Sequence, residues 1–371
     1  MDADVVIVGA GLAGSAAAWA LSQRGRSVVL LEQFAPGHLS GSSHGSARIV
    51  RRAYGDGLYT QLTGRAFELW REVEQASGAQ ILRIYGGLDF GPRRHVPAVA
   101  EHLAAAGVAH ELLPADEAAR RWPGMEFEGE VVYHQQAGTM DAALAVSTMI
   151  ELSWADVRYE TPAVSVSPDG HVNLADGTSL SAQTVVVSAG AWLGPLLADV
   201  VTLPPLQVTQ QQIFHFPRLD PTQPPWPSVI HEGSDAAVYH LAGGRDGGPD
   251  DDRKIGEHDG GSRCTAADRT GVVDPDSRTH VIDYVRRWLP GLSPVPRGEA
   301  TCLYTETPSE DFVLDQVGPI VVCSPCSGHG AKFAPLIGEL VADLVEGTGA
   351  NVPSRFRLAH HLEGRLGSVS L

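Results

Sequence analysis

The sequence predicts an α/β (α+β) fold of two domains, one with a parallel sheet and the other with a mainly antiparallel sheet. The first reason is size, since the chain has 371 residues and single hydrophobic cores tend to divide beyond about 250–300 residues. The second is the opening of the chain, a strand, a glycine-rich turn, a helix and a strand, as in parallel sheets. The third is a later run of short alternating strands separated by tight turns, which is typical of antiparallel sheets.

The opening unit has an apolar strand over residues 4–8, a helix to about Gln23 and a second strand over residues 28–31. The turn before the helix consists of Gly9, Ala10, Gly11, Leu12, Ala13 and Gly14. Its first glycine permits a tight turn, its second lets the backbone approach a pyrophosphate, and its third lets the helix pack closely on the strand. Glu32 follows the second strand, where a carboxylate can bind ribose hydroxyls. An ordinary glycine-rich loop would lack these flanking elements, so we predict a Rossmann-like dinucleotide-binding domain.

Later elements predict that this domain is discontinuous in sequence. Residues 34–47 are rich in Gly, Ser and His, which favours a loop, and apolar spacing predicts a helix over residues 58–76. Short alternating strands over residues 156–190 end in an apolar strand followed by Ala189 and Gly190. A buried strand that ends at small residues is typical of a chain that re-enters a parallel sheet beneath a ligand.

The last part of the chain supplies another strand-to-helix turn, with a strand over residues 320–323, a turn over residues 327–330 and a helix over residues 333–345. Before it, the Gly- and Asp-rich loop over residues 243–253 is predicted to be mobile. We assign residues 1–80, 140–205 and 300–371 to the dinucleotide domain, and residues 81–139 and 206–299 to a substrate domain.

The charge of the chain limits its partners. A net charge of −17 at pH 7 repels nucleic-acid phosphates and anionic lipids, so neither is expected as a partner. The sequence shows neither a secretory signal nor the ~18 apolar residues of a membrane span. We therefore expect a cytoplasmic protein, and a monomer. Its four cysteines suit a reducing compartment, and Cys323 and Cys326 lack the second pair that a zinc site needs, so no metal site is expected.

The predicted cofactor is FAD. The glycine motif alone does not separate FAD from NAD, but the alternating strands and the strand that returns to the parallel sheet favour FAD. No second GxGxxG motif marks a separate nicotinamide site. We therefore expect the electrons to pass to an acceptor other than a nicotinamide cofactor.

Five motifs occur in a fixed order along the chain: GSSHGSARIVRRAYGDG, RRWPG, VVVSAGAWLG, RGEATCLYTETPSEDF and CSGHGAKF. On these motifs the chain resembles the monomeric sarcosine oxidase and N-methyltryptophan oxidase group of FAD-dependent amine oxidases, over nearly its whole length. The resemblance implies oxidation of the C–N bond of a small secondary amine or N-methyl amino acid by molecular oxygen. The products would be an imine or aldehyde and hydrogen peroxide.

The resemblance also implies where the flavin is held. Cys302 would carry the flavin as a thioether, although a buried free cysteine is the commonest fate of this residue type. His44 and Arg48 would belong to the surroundings of the flavin, and Lys332 would lie at the turn formed by Gly328, His329 and Gly330. An ammonium group at a helix start suits negative charge on a reduced flavin, whereas the alternative for Lys332 is a solvated lysine. Further contacts to the cofactor are expected from Gln33, Ser43, Ala189, Gly190 and Trp192.

On the substrate side, the resemblance assigns the substrate carboxylate to Arg51, whose planar guanidinium can bind it bidentately, and Lys332 could pair with the same group. Lys254 occupies the place of an oxygen-activating lysine and His258 that of a pocket histidine. Because acidic residues precede Lys254, a solvated charge cluster is the alternative for it. Tyr239 and Tyr304 are expected to line the substrate side of the ring.

Other functions stay open at this stage. The substrate could be a cyclic imino acid or a natural-product intermediate, since the size of the pocket is not evident from sequence. A flavin monooxygenase or an NAD(P)H-dependent reductase is disfavoured by the single dinucleotide motif. A tRNA-modifying role is disfavoured by the acidity of the chain and the lack of a basic patch.

Overall fold

The computed structural model of the protein describes residues 1–220, 222–248, 250–258 and 260–366. Residues 367–371 of the predicted dinucleotide domain, and Pro249 of the loop predicted to be mobile, lie outside the described residues. The strands are β1 (Ala3–Val8), β2 (Val28–Leu31), β3 (Arg48–Arg51), β4 (Leu82–Ile84), β5 (Gly87–Phe90), β6 (His110–Pro114), β7 (Glu130–His134), β8 (Ala137–Met140), β9 (Asp156–Arg158), β10 (Ala163–Val166), β11 (His171–Leu174), β12 (Ser179–Val187), β13 (Gln207–Phe216), β14 (Ser228–Glu232), β15 (Ala237–Ala242), β16 (Arg253–Glu257), β17 (Ser262–Arg263), β18 (Gly298–Glu306), β19 (Val313–Val317) and β20 (Ile320–Ser324). The helices are α1 (Leu12–Gln23), α2 (Gly57–Ser77), α3 (Val96–Ala105), α4 (Ala115–Arg121), α5 (Ala142–Leu152), α6 (Leu193–Leu197), α7 (Pro275–Trp288), α8 (Ala334–Val345) and α9 (Leu358–Leu366).

The first sheet is parallel at its centre. Strands β20, β12, β1, β2 and β9 lie side by side in parallel, and β19 pairs antiparallel with β20. The first half of β12 pairs instead with β11, so the β10–β11 hairpin extends the same sheet. The central strands consist of buried Val, Ile and Leu side chains, as expected for a sheet that is covered on both faces. Helices α1, α2 and α8 pack on one face, and α6 and α9 on the other.

The second sheet has nine strands in the order β17-β13-β16-β15-β14-β5-β7-β6, with β18 also paired to β13. Its pairs are antiparallel except β14 with β5. Because side chains alternate across a strand, Phe214, Phe216 and Ile255 pack toward α7 in a separate core. The intervening residues of these strands point to the opposite face, which lines the site.

A small antiparallel sheet, β3-β8-β4, stands apart from the two large ones. Strand β3 belongs to the predicted dinucleotide segment and β4 to the predicted substrate segment, so the chain crosses between them here. The division into domains stays a prediction. The fold class is confirmed, as are the opening strand-helix-strand unit, the helix over residues 58–76, the strands over residues 156–190 and the final strand-to-helix segment.

Helix ends follow from local chemistry. The carboxylates of Asp56 and Asp141 accept backbone hydrogen bonds at the starts of α2 and α5, at 2.9 Å each. Gly78 ends α2 at φ 72°, the left-handed conformation that glycine adopts most readily. No described helix combines the length and apolarity that a membrane crossing requires.

Candidate active site

Both large sheets line one cavity of about 1450 Å³. Typical pockets for a drug-sized ligand measure about 300–1,000 Å³, so this cavity has room for a large cofactor and a small substrate. Of the predicted site residues, all except Gly14 line it. These are Gly9, Ala10, Gly11, Leu12, Ala13, Glu32, Gln33, Ser43, His44, Arg48, Arg51, Ala189, Gly190, Trp192, Tyr239, Lys254, His258, Cys302, Tyr304, Gly328, His329, Gly330 and Lys332.

At one end the cavity is bounded by the start of α1. A Cβ on Gly14 would lie 1.8 Å from the carbonyl oxygen of Gly9, so this position requires glycine, and a Cβ on Gly11 would lie 2.8 Å from Ser43 Oγ and would displace that side chain. The N-cap residue Gly11 offers no capping side chain, and Ser43 Oγ accepts from the backbone N–H of Leu12 at 3.0 Å. A helix start with exposed N–H groups and a favourable dipole fits a pyrophosphate.

Glu32 lies beside this helix start. Its carboxylate accepts hydrogen bonds from the backbone N–H groups of Ala10 and Phe34, both at 3.1 Å. The side chain is buried but reaches the cavity, so these two bonds fix its orientation and leave acceptor capacity for ribose hydroxyls. The residues present therefore fit the adenosine half of a dinucleotide.

The middle of the cavity is formed by one face of the antiparallel sheet. On β18, Cys302 and Tyr304 are two residues apart, and they pair across β13 with Gln211 and Thr209. On the other side of β13, His215 pairs with Lys254 of β16. Strand register therefore puts the predicted cysteine, tyrosine and lysine on a common face, although up to 50 residues separate them in sequence.

Lys254 is 4% exposed, which rules out the alternative of a solvated charge cluster. Its ammonium Nζ donates to the carbonyl oxygen of Ala47 at 2.9 Å. Burial, together with the positive charge of Arg48, lowers the pKa of Lys254 to about 7. Burial and Arg48 also lower the pKa of His44 to about 4, so this histidine is neutral at pH 7 and Lys254 can supply positive charge there.

The loop predicted to be mobile contacts the segment beside Lys254 through Asp246. The carboxylate of Asp246 accepts from the backbone N–H of Ser46 at 2.6 Å, and the N–H of Asp246 donates to Ser46 Oγ at 2.9 Å. Burial raises the pKa of Asp246, but the bonds to Ser46 and the nearby charges of Lys254 and His215 outweigh this effect. The pKa of Asp246 is therefore lowered. Asp246 thus adds a negative charge near the buried ammonium.

The turn before α8 packs against this face. Gly328 has φ 72°, and a Cβ there would lie 2.7 Å from Tyr304 and 2.9 Å from His258. The backbone N–H of Ser327 donates to the carbonyl oxygen of Thr305 at 2.9 Å. A glycine is therefore required for the turn to approach Tyr304 and His258, whose rings lie 6.0 Å apart.

Two basic side chains of the cavity wall, Arg51 and Lys332, meet with Tyr54 between them. The guanidinium carbon of Arg51 lies 4.2 Å from the centre of the Tyr54 ring, and Lys332 Nζ donates to the Tyr54 hydroxyl at 2.9 Å. Burial and the charge of Arg51 lower the pKa of Lys332 well below its usual range. The Nε of Arg51 is buried and has no hydrogen-bond partner among the described residues, which leaves a donor for an anionic group.

Neighbouring Arg52 has a structural role. Its Nε donates to Thr63 Oγ1 at 2.8 Å and its Nη1 to Gln136 Oε1 at 2.9 Å. The two adjacent arginines therefore have different partners.

Several polar residues of the site were missed by the sequence analysis: Tyr54, Asp89, Arg94, His215, Glu232 and Asp246. Tyr54 lies in the segment ARIVRRAY of the first motif, so the sequence already indicated that it is near Arg48 and Arg51. The others come from separate strands and loops whose register is not evident in a single sequence.

Cys323 is buried and Cys326 half-buried in the segment that leads to the turn. Burial raises the pKa of the Cys326 thiol to about 11 and that of Cys323 further, which disfavours thiolate chemistry. Within the described ranges, no group of three or more His, Cys, Asp or Glu side chains is arranged to hold a metal ion.

Residues 4–344 match the family described as FAD dependent oxidoreductase. The chain belongs to the FAD dependent oxidoreductase family. Monomeric sarcosine oxidase from Streptomyces avermitilis is 35% identical over 369 residues, covering 94% of this chain and 95% of that protein. N-methyl-L-tryptophan oxidase from Yersinia pestis is 31% identical over 366 residues, covering 92% and 94%.

Solved structures agree on the fold of this FAD dependent oxidoreductase. NikD, described as an unusual amino acid oxidase essential for nikkomycin biosynthesis, has a TM-score of 0.84 at 24% identity and covers 96% of this chain and 97% of its own. L-proline dehydrogenase from P. horikoshii has a TM-score of 0.83 at 19% identity, with 98% of both chains covered. The predicted membership in the sarcosine oxidase and N-methyltryptophan oxidase group is confirmed, and the chain is a flavin-dependent enzyme.

Proposed function

We propose that the enzyme oxidises the C–N bond of a small secondary amine or N-methyl amino acid and passes the electrons to oxygen. The imine product would hydrolyse to an aldehyde and an amine, and oxygen would leave as hydrogen peroxide. The observation that carries this proposal is the convergence of Arg51 and Lys332 on the Tyr54 ring. This pair suits a carboxylate, and it borders the cavity that Cys302 and Tyr304 line. Sarcosine and N-methyl-L-tryptophan, named in the relatives, both carry a carboxylate beside an N-methyl amine.

Bound FAD would supply the acceptor for two electrons from the amine. The start of α1 and Glu32 would hold its adenosine and pyrophosphate, and the sheet face with Cys302 would hold its ring. We further propose a thioether link through Cys302, which is buried on the cavity wall. Arg48 would lie near the same ring, because it borders the same cavity as Cys302. Its Nη2 donates to the carbonyl oxygen of Ser42 at 3.1 Å, which holds the guanidinium against the loop over residues 34–47.

Arg51 and Lys332 would anchor the substrate carboxylate. The free Nε of Arg51 offers a donor that no described protein group uses. Because the pKa of Lys332 is lowered well below its usual range, Lys332 can take up a proton when an anion binds beside it. The substrate amine must be neutral to react, and the surrounding cations disfavour its protonated form.

Lys254 would stabilise negative charge that develops on oxygen as it is reduced. The ammonium is buried and held by the carbonyl of Ala47, so it needs no reorganisation when the charge appears. Tyr239 and Tyr304, which both border the cavity, would line the substrate pocket. Burial raises the pKa of Tyr239 to about 12, so both hydroxyls stay protonated at neutral pH.

The test has two parts. Acid precipitation of the purified protein should give a yellow pellet if the flavin is covalently bound, and a colourless pellet would remove the link through Cys302. A peroxide-coupled panel of N-methyl and cyclic amino acids should then show turnover of N-methyl compounds. Turnover of cyclic imino acids alone would show that the substrate is a cyclic imino acid and not an N-methyl amino acid. Bleaching of the flavin by NADPH without any amine turnover would overturn the proposal.

A further inference from the structure

Charged groups form a chain from Arg51 to Glu232, and both of these residues line the cavity. Arg51 Nη1 lies 3.6 Å from Asp89 Oδ1. The same Asp89 oxygen accepts from Arg94 Nε at 2.8 Å, and Arg94 Nη1 lies 2.8 Å from Glu232 Oε1. Positive and negative groups therefore alternate between Arg51 and Glu232.

Strand register explains this arrangement. Ile230 of β14 pairs with Asp89 of β5 on one side and with Tyr239 of β15 on the other. Glu232 follows Ile230 by two residues, so its side chain points to the same face of the sheet. Glu232 and Tyr239 both line the cavity.

The two carboxylates of the chain differ in access. The Asp89 side chain is 1% exposed and does not border the cavity, whereas the Glu232 side chain is 30% exposed and does. Arg94 is committed to both carboxylates and to the carbonyl oxygen of Ala53 at 3.4 Å. Arg94 occupies Oε1 of Glu232, and no hydrogen bond to Oε2 is found among the described residues, so this residue of the cavity wall keeps acceptor capacity.

The wall of the site thus carries charges of both signs. Arg51 presents positive charge beside Lys332, and two carboxylates, Asp89 and Glu232, share the guanidinium of Arg94. Arg93 also borders the cavity, but it is exposed and its Nε donates to the carbonyl of Gly233 at 2.5 Å, so solvent screens its charge.

We propose that Glu232 is a specificity-determining residue that selects substrates whose side chain ends in an ammonium or guanidinium group. This inference rests on the proposed function. The substrate carboxylate would bind Arg51 and Lys332, and the distal cation would donate to Glu232 Oε2. A substrate with a second carboxylate would meet Glu232 and be rejected, because like charges repel at close range.

Three amino acids of similar length test this selection: Nα-methyl-lysine, Nα-methyl-norleucine and Nα-methyl-glutamate, each used as the racemate. The holoenzyme should prefer the lysine derivative over the norleucine derivative by about 10- to 100-fold in kcat/KM, as for a hydrogen bond between charged groups. The glutamate derivative should be the poorest of the three. The ratio is measured within each variant, so a general loss of activity cancels.

Glu232→Gln removes the charge and keeps an oxygen for Arg94, so the preference for the lysine derivative should fall to near unity. Glu310→Gln is the matched control, because Glu310 is an exposed carboxylate that borders the cavity. The ratio of kcat/KM for the lysine and norleucine derivatives should be the same in this variant as in the unchanged enzyme. Equal kcat/KM for the lysine and norleucine derivatives in the unchanged enzyme would overturn the inference, as would an unchanged ratio in Glu232→Gln.

The same experiment separates this inference from the proposed function. If sarcosine or the norleucine derivative reduces the flavin and the lysine derivative is not preferred, only the selection by Glu232 is wrong. If no amine reduces the flavin, with sarcosine and pipecolate included, the proposed function is wrong and the selection falls with it.

Discussion

Raising the pH from 6 to 9 should slow the reaction of the reduced enzyme with oxygen, because Lys254 loses its proton over this range. Its pKa is lowered from the usual 10.5 to about 7 by burial and by Arg48. The protonated form exists below this pKa, so its fraction falls from about nine-tenths at pH 6 to about one-hundredth at pH 9. We therefore expect the rate constant for reoxidation to fall by about 90-fold, close to tenfold per pH unit above pH 8.

The contribution of the Lys254 charge determines how far the rate of reoxidation can fall when this charge is lost. A unit charge about 4 Å from the reacting oxygen contributes about 4 kcal/mol at an effective dielectric constant of about 20, which corresponds to roughly a thousandfold in rate. Lys254→Met should therefore react slowly with oxygen at every pH. Lys254→Arg keeps its charge and should lose most of the pH dependence.

Rapid mixing of the anaerobically reduced enzyme with oxygenated buffer measures this rate directly. Anaerobic reduction by the amine serves as the control, because Lys254 is assigned to the oxygen reaction alone. Equal reoxidation rates at pH 6 and pH 9 in the unchanged enzyme would refute the role of Lys254. A Lys254→Met variant that slowed both half-reactions equally would refute it as well.

Three further predictions concern the cofactor and the carboxylate site. Cys302→Ser should give a colourless pellet on acid precipitation where the unchanged protein gives a yellow one; a yellow pellet from the variant would place the link elsewhere. Lys332→Met should raise KM for an N-methyl amino acid by about 10- to 100-fold, because the substrate carboxylate loses a hydrogen bond to a charged group; an unchanged KM would contradict this. Gly14→Val places Cβ 1.8 Å from the carbonyl oxygen of Gly9, so the flavin content per protein should fall steeply, and a full complement of flavin would show that the turn tolerates the side chain.

Local patterns in the sequence were sufficient for the elements of the first sheet. The strand over residues 4–8, the turn from Gly9 to Gly14 and the helix to Gln23 depend on neighbouring residues, whose spacing is visible in the sequence. The observed β1 and α1 have nearly the same bounds.

Contacts between distant strands could not be predicted in this way. Asp89 and Glu232 share Arg94, although 143 positions separate the two carboxylates, and only the pairing of β5 with β14 brings them together. Lys254 is a second example, since three aspartates precede it in sequence. Its burial depends on where β16 begins, because the strand starts at Arg253 and carries the lysine to the inner face.

An anaerobic titration of the purified enzyme with an N-methyl amino acid tests the central claim most directly. The visible absorbance of the bound flavin should bleach as the amine is added, and it should return when oxygen is admitted, with one hydrogen peroxide formed per flavin. A protein that contains no flavin and cannot be reconstituted with FAD, or a bound flavin that no amine bleaches, would contradict the account.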